Sequence, residues 1–132
     1  MIYRRPYLSD QRRFQRYDCN LTVLCKIQEP QELREQFADR ELELTALNVC
    51  EEGAGLISDH QIPKHSLLNL KLVMFKGDSS GAVRWQRPLE VTGRVCYSQP
   101  TDEANKYRLG VYFTEVPSEY SHRLNDFLSI PA

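Results

Sequence analysis

Five arginines fall within the first sixteen residues, at Arg4, Arg5, Arg12, Arg13 and Arg16, against a single acid, Asp10. Arginine offers a planar fork of donors that stays charged at any physiological pH and grips an anion with two bonds at once. A local charge of +4 on a chain whose net charge is −1 implies an anionic partner engaged at one place. Residues 29–43 reverse the sign, with six acids against Arg34 and Arg40. A general nucleic-acid binder carries a basic face across the whole domain, so no nucleic-acid partner is expected.

A second polar cluster, Asn48-Val49-Cys50-Glu51-Glu52-Gly53, holds an amide, a thiol, two carboxylates and a glycine in six residues. Taken alone it reads as an Asx-type turn between strands. Nothing in the chain pairs a nucleophile with a base and an orienting group. His60, His65 and His122 are scattered, and the carboxylates fall on strand faces or in loops, so no enzymatic activity is expected. Cys19, Cys25, Cys50 and Cys96 stand singly, without CxxC or CxxH, and the histidines are not spaced with them as tetrahedral sites require. The reading is four thiols in a reducing compartment, with neither metal nor cofactor.

These residues need elements to position them. At 132 residues the chain has the size of one domain, and folding can withdraw roughly two thirds of its surface from water. Residues 1–19 show no apolar period and read as a flexible N-terminal arm. Leu21, Val23, Cys25 and Ile27 then alternate with polar neighbours as a half-buried strand. The stretch PQELREQFAD forms a short helix or loop. Alternation resumes at Leu42, Leu44 and Ala46, at GLIS after the NVCEE turn, and at Leu68, Leu70, Leu72 and Met74. KGDSSG at 76–81 reads as a loop. Leu89, Val91, Val95 and Tyr97 share one face of the next strand, and Tyr107, Leu109, Val111 and Phe113 one face of the last. From Ser118, a capping residue, the period becomes helical, with Tyr120, Leu124, Phe127 and Leu128 on one side. The expectation is one mainly β domain over 1–132: a six-stranded antiparallel barrel over 20–116 and a C-terminal α-helix over 118–129. No apolar run reaches the roughly 20 residues of a membrane span, and no signal-peptide core follows the basic N-terminus, so the cytoplasm is expected.

RxxxR at Arg12–Arg16, just before the first strand, and Asn48-x-Cys50-x-x-Gly53 between the next two resemble the paired signature of the PilZ domain, RxxxR followed by [D/N]xSxxG. YRLGVYF and the closing helix extend the resemblance over about residues 10–129. It implies a six-stranded barrel that binds cyclic di-GMP on its outer surface, with Arg12, Arg13, Arg16, Asn48, Cys50 and Gly53 at the ligand. Arginine forks suit guanine O6 and N7, phosphate, or a purine face. Asn48 would meet a guanine edge, and Gly53 would let the backbone turn close by. Cys50 departs from the pattern: a thiol gives and accepts hydrogen bonds poorly where the family has serine. Trp85 and Tyr97 read as surface or edge aromatics able to stack on guanine, and Gly110 as a site of close strand contact.

The resemblance makes the chain a bacterial receptor whose arginine arm closes on cyclic di-GMP and alters the surface offered to a protein partner. The alternative is a protein-interaction adaptor of the same fold that works without ligand.

Overall fold

The computed structural model describes residues 17–77, 83–85 and 88–129. Six strands form a closed barrel: β1 (Tyr17–Glu29), β2 (Leu42–Val49), β3 (Gly53–Ser58), β4 (Leu67–Val73), β7 (Leu89–Pro100) and β8 (Tyr107–Glu115). Their order is β1-β2-β3-β8-β7-β4, every neighbouring pair is antiparallel, and β4 closes back onto β1. Closure leaves the barrel no open sheet edge. A two-stranded ribbon, β5 (Phe75–Gly77) and β6 (Val83–Trp85), stands apart from it. Lys76 and Gly77 thus belong to a strand, where a loop was expected, and 78–81 lie outside the described residues.

Alternation explains the interior. Val23, Cys25, Leu56, Leu68, Leu70, Leu72, Leu109 and Val111 are wholly buried, and each large aliphatic among them contributes about 1.5–3 kcal/mol by leaving water. Burial pushes the Cys25 thiol up to about 12, so it behaves as a small core hydrophobe. The polar stretch after β1 is a single short helix, α1 (Gln31–Gln36), which ends before Ala38 and Asp39 in the left-handed region.

Strand β1 begins at Tyr17, so Tyr17–Cys19 belong to the barrel and not to the arm. The final helix, α2 (Tyr120–Ser129), starts two residues later than the expected range of 118–129. Tyr120 and Leu124 of its apolar stripe are buried in the barrel's core cluster. Among the described residues no helix is long and apolar enough to cross a membrane.

Candidate functional site

Asn48 would lie inside the barrel if β2 alternated without a break, because Leu42, Leu44 and Ala46 all point inward. A bulge between Ala46 and Asn48 adds one residue and reverses the phase. Val49 then takes the inward place, wholly buried, and Asn48 faces outward. A second bulge, between Val95 and Tyr97, does the same on β7. Val95 remains inside while Tyr97 turns out, which corrects the expectation that the two share a face.

The two outward side chains face each other across a floor without side chains. Asn48 pairs with Gly55, Gly55 with Gly110, and Gly110 with Tyr97, so the four form one row across β2, β3, β8 and β7. A Cβ on Gly55 would sit 2.8 Å from Asn48 Nδ2, and one on Gly110 would fall within the Tyr97 ring. A Cβ at Gly110 has no room unless the Tyr97 ring moves, whereas one at Gly55 would displace only the far end of the Asn48 side chain. Gly110 therefore serves close approach, as expected; that its neighbour is Tyr97 was not legible.

Cys50 and Gly53 bracket the connection between β2 and β3. The Cys50 amide donates to the Gly53 carbonyl at 2.9 Å, and the Glu52 amide donates to Cys50 Sγ at 3.3 Å. From outside the turn, the Phe113 amide donates to the Glu52 carbonyl at 2.7 Å, and the Tyr120 hydroxyl to the Cys50 carbonyl at 2.7 Å. Tyr120 is 1% exposed and meets Phe113 edge to face at 5.5 Å. Burial, then the nearby Cys50, Glu51 and Cys19, push its phenol far above the ordinary range, so the hydroxyl stays a donor. Cys50 itself is 4% exposed, with its sulfur already engaged.

Beside this turn, Glu51, Glu52, Tyr112, Phe113 and Glu115 help line a recess of about 190 Å³. The buried Glu52 Oε2 has no hydrogen-bond donor. A larger hollow of about 510 Å³, under Phe37, His60 and Tyr107, borders α1 and the loop after β3. Among the described residues no group of three His, Cys, Asp or Glu side chains could hold a metal ion.

The structure thus brings together Asn48, Cys50 and Gly53 of the expected site. Arg12, Arg13 and Arg16 lie outside the described residues. The strand that follows them pairs Tyr17 with Val49 and Asp18 with Asn48, so β1 begins beside the turn. Gly55, Tyr120 and Glu52 were missed. The GAG spacing at 53–55 was a visible signal for Gly55, whereas nothing local marked the other two.

A family model for the PilZ domain matches residues 10–129, and the chain belongs to that family. No curated protein matches it by sequence. Among solved structures, the Bacillus subtilis inhibitor of motility (MotI/DgrA) superposes with a TM-score of 0.63 at 15% identity. That match covers 89% of this chain and 49% of the other, so the chain spans about half the length of the inhibitor. The PilZ domain of YcgR from Escherichia coli, solved with c-di-GMP, superposes with a TM-score of 0.57 at 12% identity, covering 89% of this chain and 88% of that one. At these identities the likeness speaks to fold.

Proposed function

We propose that this protein is a cyclic di-GMP receptor, with its ligand held on the outer barrel face between Asn48 and Tyr97 and clasped by the arginine segment. The observation that carries the reading is the pair of bulges: each turns one polar or aromatic side chain outward onto the same glycine floor. Tyr97, laid over Gly110, offers a face for stacking, and Asn48, laid over Gly55, offers an amide to a base edge. Cyclic di-GMP supplies two guanines and two phosphates in one ring, and the arginines supply forks for both kinds of group. The first described pair of β1, Tyr17–Val49, follows directly on Arg16 in the sequence. Glu52 Oε2 adds an acceptor in need of an N–H donor, which guanine or an arginine provides.

In this reading Arg12, Arg13 and Arg16 close over the ligand, Asn48 meets a guanine edge, and Gly53 and Cys50 shape the turn beside it. A protein partner reads the altered surface, and the chain acts in the cytoplasm without catalysing a reaction. One observation favours the ligand-independent adaptor instead: Cys50, at the serine position, is buried and already accepts the Glu52 amide. Calorimetric titration separates the two readings. The receptor binds cyclic di-GMP in preference to GTP, GMP and cyclic AMP; absence of heat with cyclic di-GMP leaves the adaptor.

A further inference from the structure

The structure assigns to Tyr120 the role of a positioning residue: through the Cys50 carbonyl it holds the β2–β3 turn in its binding shape, linking α2 to the ligand face. The inference deepens the receptor reading above and rests on it.

The turn from Cys50 to Gly53 sits between Asn48, two residues before it, and Gly55, two residues after it. Any rotation of its peptides therefore reaches two of the four members of the row, Asn48 and Gly55. Two of its hydrogen bonds are internal, and a third comes from β8, the strand beside β3. The Tyr120 hydroxyl reaches the Cys50 carbonyl from 70 residues away. It is a direct bond from α2 to this turn.

The surroundings leave that hydroxyl little freedom. Tyr120 is 1% exposed, its ring is set edge to face against Phe113, and the Phe113 amide holds the next carbonyl of interest, that of Glu52. Ring, hydroxyl and strand amide thus brace the turn from one side. Without the hydroxyl, the Cys50 carbonyl loses its donor beside a buried ring, and the 50–51 peptide gains by rotating toward water. Such a rotation moves the backbone that aims Asn48. Coupling of this kind is reciprocal, so ligand on the outer face also stabilises the docked helix.

The test uses the full chain and compares Tyr120→Phe with Leu124→Ala, a cavity in the same helix that leaves the hydroxyl in place. Cyclic di-GMP affinity is read by calorimetry, stability by thermal unfolding, and the turn itself by the ¹⁵N resonance of Glu51, whose nitrogen shares the peptide with the Cys50 carbonyl. Tyr120→Phe should weaken binding about tenfold and move the Glu51 resonance, the scale of one buried acceptor left unmade. Leu124→Ala should lower the melting temperature at least as much while holding affinity within about twofold, because its loss is a cavity that leaves the Tyr120 hydroxyl and its bond to the Cys50 carbonyl in place. Unchanged affinity in Tyr120→Phe, or an equal loss in Leu124→Ala, overturns the positioning role. Exchange in the unmodified protein gives a second readout: saturating cyclic di-GMP should slow amide exchange across 120–129, and equal rates overturn the coupling. A wild-type chain that does not bind overturns the receptor reading first, and this inference with it.

Discussion

Adding one methyl group at Gly55 should separate the binding site from the fold. A Cβ there would lie 2.8 Å from Asn48 Nδ2, closer than such atoms approach, and a tight 3.1 Å from its Oδ1. Both are the far end of a side chain that can pivot. Displacing the amide from its rotamer costs about 0.5–1.5 kcal/mol. Replacing a strand glycine returns roughly 0.5–1 kcal/mol through the unfolded chain, so Gly55→Ala should leave stability almost unchanged. Affinity should not survive as well. If Asn48 reads a guanine edge, losing that contact costs about 1–3 kcal/mol, a five- to roughly 150-fold weakening. Gly93→Ala is the matched control. Its Cβ would meet Val111 Cγ1 at 2.6 Å and the Tyr112 carbonyl oxygen at 2.8 Å, a core methyl and a backbone atom that cannot pivot. Overpacking there should cost about 1–3 kcal/mol and several degrees of melting temperature. Thermal unfolding and titration with cyclic di-GMP measure the two effects. Wild-type affinity in Gly55→Ala, or a stability loss matching Gly93→Ala, would sink the assignment of Asn48.

The arginine segment and the thiol give three further tests. Arg12→Ala or Arg16→Ala should each cost about 1–3 kcal/mol of binding with the melting temperature held; unfolding of Arg16→Ala would instead make that residue structural. Cys50→Ser should keep the fold and tighten binding by about 0.5–1.5 kcal/mol, one net hydrogen bond, since a hydroxyl accepts the Glu52 amide better than sulfur. A clear loss of affinity would mean that the 4% exposed sulfur is needed for its volume. Amide exchange over residues 1–16 should slow on adding cyclic di-GMP, and the affinity should fall as salt screens arginine from phosphate. Equal exchange with and without ligand would remove arm closure from the mechanism.

Much of this could be read along the chain. Apolar residues at every second position from Leu21 to Ile27 and from Leu68 to Met74 specify strands with one buried face, because a strand's side chains alternate by geometry. The change to helical spacing at Tyr120 and Leu124 marks α2 for the same reason. The order of RxxxR and Asn48-x-Cys50-x-x-Gly53 was equally legible, since a local motif is a matter of residue type and count.

Counting fails at the bulges. Parity along β2 assigns Asn48 to the core with Ala46, and parity along β7 assigns Tyr97 there with Val95; both face outward. A bulge exists only where a partner strand leaves one residue unmatched, so it depends on pairing with β3 and β8, which local periodicity does not contain. The glycine floor has the same origin. Gly55 and Gly110 are separated by 54 intervening residues and become neighbours through the register of β3 on β8. The reach of Tyr120 to Cys50 over 70 residues likewise depends on how α2 docks against the barrel, which no local pattern contains. Alternation decides which residues leave water, and it acts between near neighbours along the chain; the direction in which Asn48 and Tyr97 point is decided between strands, where register can slip by one residue and reverse a face.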